Sequence, residues 1–395
     1  MKVPFLQLLC LNAALASANV VKGAAQGFAA GVTGGGDITP SYPKTNEELV
    51  SLLESDEPQV VVLTKTFEFI GTEGTTTENG CAPWGTGKSC QLAINSNGWC
   101  GKNPVVTITY DNAAKNGIHI KSNKTLVGEG DKGVLSGKGL YFEGGVSNII
   151  VQNIKITNLN PGFVWGGDAF TFFGADLIWI DHCETSLTGR QHYVTGFHPN
   201  TRMTWSNNFL NGVTTHSAGC DDHHYWTMEL VGPGDQITFQ NNYVYHTTGR
   251  GPALSGTTLF HAVNSVWSSI PGHAIEGGDK GRGLFEGCFF EDVVEIAPAK
   301  PENQLFSASE ANAASCKSAL GRACQANSYS KSGAFGSSET GFFKDFAGLT
   351  IAPAGSATDA LAYVPKNCVC IKQEGGFSKA RNFLHVKQPN WLDPT

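Results

Sequence analysis

Charge is what this chain has least of. Asp, Glu, Lys and Arg make up 15% of its 395 residues, against about 25% in an average soluble protein. No basic run is present and the formal net charge is −7, which argues against a nucleic-acid partner. The same balance weighs mildly against a fully ionised acidic polysaccharide. Beyond the first residues, no apolar stretch approaches the roughly 18 residues that a membrane helix needs. No Cys-x-x-Cys pair occurs, so zinc ligation is the weaker reading of the cysteines. Helical periodicity is confined to Thr45–Leu53, with Thr45 as N-cap and Glu48 as the expected box partner.

Glycine, by contrast, is abundant, with 48 residues, and Asn, Ser and Thr are frequent. Such a composition fits a β-rich protein with many turns. The opening Met1-Lys2-Val3-Pro4-Phe5-Leu6, the apolar run after it and Ala16-Ser17-Ala18 have the form of a secretory signal. The alternative is a buried N-terminal helix. A secreted, extracellular protein is therefore expected, with residues 1–18 as the signal. There are eleven cysteines, Cys10 among them, and export would make the rest disulfide candidates.

Short strand-like runs follow one another from Val105: Val105–Thr109, Gly117–Ile120, Thr125–Gly128 and Ile149–Ile156. Leu177–His182, Met203–Phe209, Ile237–Val244, Leu259–Asn264 and Leu284–Phe290 continue them. Aligning the apolar–polar pattern puts Asn153, His182, Asn207, Asn241, Asn264 and Gly287 in register. A repeat of about 20–35 residues without helix-length spacers predicts a parallel β-helix, one coil per repeat. The recurrent Asn is expected at a turn, bonding the backbone and stacking on the next Asn. An antiparallel β-sandwich is the alternative, but it has no reason to repeat that Asn. Thr72–Pro104 reads as a long loop lacking secondary structure, which needs a covalent staple. After Pro298 the repeat is lost.

Charged and aromatic residues gather between Val164 and Pro252. The clusters are Val164-Trp165-Gly166-Gly167-Asp168, Ile178-Trp179-Ile180-Asp181-His182, Gly189-Arg190-Gln191-His192, Cys220 to Trp226, and Thr248-Gly249-Arg250-Gly251-Pro252. These motifs, with Asn153-Ile154-Lys155-Ile156, resemble polysaccharide lyase family 1, which holds the pectate and pectin lyases. Gly31-Val32-Thr33-Gly34-Gly35-Gly36, Cys81-Ala82-Pro83-Trp84-Gly85-Thr86, Gly189 to His192 and His223-His224-Tyr225-Trp226 are similar to the fungal pectin lyase branch. The resemblance runs from about Gly27 to Pro365.

It implies an all-β, single-domain right-handed parallel β-helix over 19–366, with long loops forming a cleft on one side. The tail 367–395 is atypical for the family and is expected to be poorly ordered. The implied reaction is endo-type β-elimination in a 1,4-linked, methyl-esterified galacturonan, leaving a 4,5-unsaturated end. Arg250 matches the base position, and Asp168 and Arg190 the two other catalytic positions. For arginine to act as a base, neighbouring cations and desolvation must remove its proton; Arg190 could help and could also meet the developing enolate oxygen.

Trp84, Trp99, Trp165, Tyr225 and Trp226 are candidates for the substrate wall, where aromatic faces suit an esterified sugar ring. Trp179, Trp205 and Trp267 read as core. His182, His192, His223 and His224 are tempting as acid/base groups, but loop-ordering hydrogen bonds are the plainer reading. Asp221 and Asp222 beside Cys220 could form a ligand pair; a solvated turn is the plainer reading there too. Arg190 and Val194 fall where the calcium-dependent branch has ligands, so neither calcium nor a cofactor is expected. Ala253 stands where pectin lyases often carry Lys. The family pattern pairs Cys81 with Cys100, Cys90 with Cys220, and Cys316 with Cys324, and leaves Cys183 and Cys288 as buried thiols. Asn123-Lys124-Thr125 is a glycosylation sequon. A monomer acting on pectin, without nucleic acid or membrane, is expected. The rival readings are a calcium-dependent pectate lyase, a hydrolase using Asp168 with Asp181, and a non-catalytic carbohydrate-binding solenoid.

Overall fold

A computed structural model describes residues 20–278, 280–298, 302 and 304–368. The expected signal, 1–18, and the tail from 369 on lie outside the described residues. Among these residues the chain winds through three parallel sheets, two of nine strands and one of seven. Each full coil visits the sheets in turn. In one coil they are Thr201–Ser206, Phe209–Asn211 and Met228–Leu230. The next coil begins at Gln236–Gln240, in register on Thr201–Ser206. This is the parallel β-helix that the repeat predicted.

Alternation sets which side chains fill the coil. In the first sheet Ile149, Ile178, Met203, Ile237 and Phe260 stack through the strand pairings, and Val151, Ile180, Trp205, Phe239 and Ala262 form a second row. All ten are fully buried. Phe142 and Phe172 stack at 4.8 Å, and Trp267 and Phe290 at 5.0 Å. Each large side chain thus meets like neighbours one coil away, where burial is worth about 1.5–3 kcal/mol.

Asn153, His182, Asn207, Asn241, Asn264 and Gly287 each sit at the bend between the first and second sheets. Their φ values lie between 49° and 59°, the left-handed region that Asn and Gly tolerate best. The bend divides several runs that read as one strand: Ile149–Ile156, for example, is Ser147–Gln152 followed by Lys155–Thr157. The coil-to-coil ladder sits one residue later than expected. Asn208 Oδ1 accepts from Cys183 N, and Asn242 Oδ1 accepts from Asn208 N and Nδ2, at 2.8–3.0 Å.

Three other expectations are corrected. Thr72–Pro104 is not structureless: Thr75–Cys81 pairs antiparallel with Val105–Asp111, so Val105 begins a flanking sheet and not a coil. The repeat continues past Pro298, because Gln304–Ser307 and Ser328–Ser330 extend the first two sheets. In the helix Asn46–Glu54 the Thr45 side chain accepts from Glu48 N, but Glu48 Oε2 accepts from Lys44 N, not from the cap residue.

Two described segments, 25–29 and 357–367, cover outer faces of the first and second sheets. Phe28 N and Ala29 N donate to Thr238 Oγ1 and Thr204 Oγ1 on the first sheet. Gly27, at φ 69°, lies where a Cβ would stand 2.4 Å from Thr238 Oγ1, which is why glycine stands at that position. Trp179 is buried under it with Ala25 and Ala29, outside the coil and not within it. The helix Ala357–Asn367 covers Phe209, Tyr243, Val266 and Phe289 of the second sheet. Asn123 of the sequon is half-buried at a bend, and its Oδ1 accepts from Asn148 Nδ2.

Candidate active site

Four connections from the second sheet to the third carry nearly all the predicted site residues. They span 158–169, 187–192, 212–227 and 246–252 in successive coils, so Trp165 and Asp168, then Arg190, then Tyr225 and Trp226, then Arg250 share one flank. Trp165 and Arg250 have φ values of 68° and 51°. Left-handed backbone at non-glycine residues costs of order 1–3 kcal/mol and clusters at functional sites.

Asp168 and Arg190 form a forked pair, with Arg190 Nε 3.0 Å from Oδ1 and Nη2 2.6 Å from Oδ2. Such planar, two-bond pairing is the strong form of a charged hydrogen bond. Gln191 N adds a bond to Asp168 Oδ1 at 2.7 Å, and the Arg190 guanidinium lies 4.0 Å from the Trp165 ring. Arg250 does not join this pair. Its Nη1 pairs with Glu229 Oε2, and its Nε lies 3.0 Å from Glu276 Oε1. Trp226 lies 4.9 Å and Tyr225 5.7 Å from the guanidinium carbon. The cationic surroundings that a neutral guanidine calls for are therefore replaced by two anionic neighbours.

Glu229 and Glu276 were missed by sequence reasoning. Both lie in short strands of the third sheet, where Tyr141, Thr171, Val194, Glu229, Ala253 and Glu276 form one continuous row across the coils. No motif marks them; only the strand register reveals that Ala253 stands between two carboxylates. Gln191 Nε2 reaches Glu229 Oε2 at 3.3 Å, which links the two arginine centres. His273 Nε2 lies 2.8 Å from Glu276 Oε2, and the Tyr225 hydroxyl donates to Glu276 at 3.2 Å. Burial pushes the Glu276 carboxyl up, but the His273 hydrogen bond, the charges of His273 and Arg250 and the Tyr225 bond outweigh it and hold it low. The Glu276 hydrogen bond raises His273 in turn, against burial.

The five aromatic candidates gather in one cluster with Cys81, Cys100, Ala93 and Val164. Trp84 stands 6.2 Å from Trp99 and 6.0 Å from Trp226. Trp226 is only 9% exposed, and its Nε1 donates to Gln91 Oε1 at 2.9 Å, so it backs Arg250 and offers little open face. Trp84, Trp99, Trp165 and Tyr225 are half-buried and supply the accessible wall. Disulfides Cys81–Cys100 and Cys90–Cys220 fasten this wall to the flanking sheet and to the 212–227 connection, and Cys316–Cys324 closes a short loop elsewhere. Cys183 and Cys288 are free and buried.

The histidines divide by burial. His224 Nε2 lies 2.7 Å from Arg190 O and 3.1 Å from Trp226 O; carbonyls only accept, so that nitrogen carries the proton. Burial pushes His224 down to about 4, leaving a neutral ring that holds the Arg190 backbone. His192 bonds Thr185 Oγ1 at 2.7 Å, and burial likewise pushes it well down. His182 contacts Asp181, whose carboxylate also accepts from Ser206, Asn207 and Gln152. Asp181 is thus buried and fully bonded at the bend beside the first sheet, and forms no acid/base pair with Asp168.

Calcium does not fit the pair's surroundings. Both Asp168 oxygens are engaged by Arg190, and the Val194 side chain in the third-sheet row offers no oxygen. A hard cation needs several oxygen ligands.

This is a parallel β-helix protein with paired arginines, carboxylates and an aromatic cluster on one flank. Residues 5–352 match the family description of pectate lyases, and the chain belongs to that family. It is 99% identical over 368 residues to a protein from Aspergillus niger named probable pectin lyase C, covering 93% of this chain and 97% of that one. Pectin lyase B of Emericella nidulans is 50% identical over 369 residues, covering 92% and 97%. Among solved structures, a Bacillus pectate lyase in complex with trigalacturonate aligns with a TM-score of 0.55 at 20% identity, over 87% of this chain and 98% of that one. That last likeness supports the fold alone.

Proposed function

We infer that this protein is a pectin lyase, cleaving 1,4-linked methyl-esterified galacturonan by β-elimination. The observation that carries the reading is the forked Arg190–Asp168 pair. It fills with a guanidinium the place where a calcium-dependent enzyme would gather carboxylates. A neutral ester needs no metal bridge, and half-buried indoles suit its apolar face.

In the proposed reaction Arg250, as the neutral guanidine left after it has given one proton to solvent, takes the C5 proton, and the released electron pair forms the C4–C5 double bond. The C4–O4 bond breaks, O4 takes a proton from solvent water, and Arg250 returns the C5 proton to solvent. Arg190, held by Asp168, faces the carboxyl group on which charge develops. Preorganised donors stabilise such charge without reorganising. The Glu229 and Glu276 contacts of Arg250 imply that substrate displaces at least one carboxylate before proton transfer. An endo mode and action as an exported monomer belong to the same proposal; three disulfides fit an oxidising compartment.

The test is the ultraviolet absorbance of the unsaturated uronide on methylated pectin and on polygalacturonate, each with and without a calcium chelator. Faster turnover of methylated pectin, unaffected by chelator, is expected. Equal rates on both polymers, or dependence on calcium, would reverse the assignment.

A further inference from the structure

Three ligand-bearing side chains gather outside the arginine centres. They are Asp222 and His223, from the 212–227 connection, and His246, from the connection that leads to Arg250. One ligand atom from each lies within 4.8 Å of the others. His223 Nδ1 and His246 Nε2 both converge on a single oxygen, Asp222 Oδ1, at 3.0 and 3.2 Å. The carbonyl oxygen of Asp221 lies 2.8 Å from His223 Nδ1, so in the metal-free protein that nitrogen carries a proton, which an ion binding there displaces. The two imidazoles stack at 3.6 Å, tilted by 17°, so they face one another where two protonated rings would repel. Asp222 and His246 hold φ values of 63° and 58°, so the backbone holds this convergence.

We propose that Asp222, His223 and His246 form a binding site for a borderline divalent cation of the zinc class. Two neutral imidazoles and one carboxylate are the donor set that such ions take, with a fourth position open to water. A hard cation such as calcium would find too few oxygens. The Asp222 side chain is 64% exposed while the two imidazoles are about one-fifth exposed, so an ion can enter from solvent. Its mechanical effect follows from its position. The ion ties the connection holding Tyr225 and Trp226 to the one holding Arg250, the segments whose side chains stack on each other. The cation takes no part in the elimination.

The experiment is calorimetric titration of the untagged, chelator-treated protein with Zn²⁺ at neutral pH, beside Asp222→Asn and His246→Gln. Thermal midpoints are read with and without the ion. One saturable equivalent is expected in the wild type, weakened roughly tenfold or more in each variant. The ion should raise the wild-type midpoint and, at the same concentration, raise those of the variants less, and metal-free lyase activity should be the same in all three. Asp222→Asn alters an exposed side chain and serves as the test should His246→Gln unfold. No saturable binding by the wild type, or titrations unchanged by both substitutions, overturns the site.

Discussion

Replacing Glu229 by Gln tests how the neighbours of Arg250 govern it. The substitution keeps the shape and removes one of the two negative charges paired with the guanidinium. An ion pair at about 4 Å is worth about 4 kcal/mol at an effective dielectric of about 20. The side chains are 24% and 30% exposed, and pairs open to water retain only about 1 kcal/mol. If Arg250 must leave this pair to accept the C5 proton, that energy opposes turnover. Its removal should raise kcat about fivefold, since 1.36 kcal/mol corresponds to a factor of about ten. KM on highly methylated pectin should change little, because the substrate is neutral. Initial rates of unsaturated-product formation give both constants, and a thermal melt checks the fold. A kcat that is unchanged or lower refutes the reasoning, and a drop of tenfold or more would make Glu229 itself part of the chemistry.

Arg250→Lys keeps the charge but removes the fork, so turnover should be lost with little loss of pectin binding; retained turnover would remove Arg250 from the role of base. Cys90→Ser with Cys220→Ser opens a link spanning 130 residues, which should cost about 2–5 kcal/mol by denaturant unfolding and raise KM by loosening the aromatic wall. Burial would raise Glu286, but hydrogen bonds from His261 and Arg322 hold it down to about 2. Its folded value lies below its unfolded one, so its contribution of about 3 kcal/mol is complete above pH 4.5 and is lost as pH falls through about 2. Glu286→Gln should therefore lower stability at neutral pH and flatten the acid limb between those values; an unchanged acid limb would count against it.

The repeat was legible because a stacked coil imposes the same steric demand every time round. Asn153, Asn207, Asn241 and Asn264 all adopt left-handed backbone at the same bend, and few residue types do so cheaply. The ladder at Asn208 and Asn242 was placed one residue early, because adjacent asparagines look alike until the side chains take directions. The pairing of Thr75–Cys81 with Val105–Asp111 escaped notice because the first of these strands is mostly polar and exposed, and has no apolar alternation to announce it.

By itself, the sequence determined the solenoid, the flank on which the loops gather, and the motifs that join Asp168 to Arg190. These depend on local propensity and on short, dense patterns. Only the tertiary structure decided what surrounds Arg250. Glu229 and Glu276 are 47 positions apart and two coils apart with Ala253 between them, and they share one row because parallel strands in register stack their side chains about 4.8 Å apart per coil. That spacing brings two carboxylates to one guanidinium, and nothing in either residue's local sequence records it.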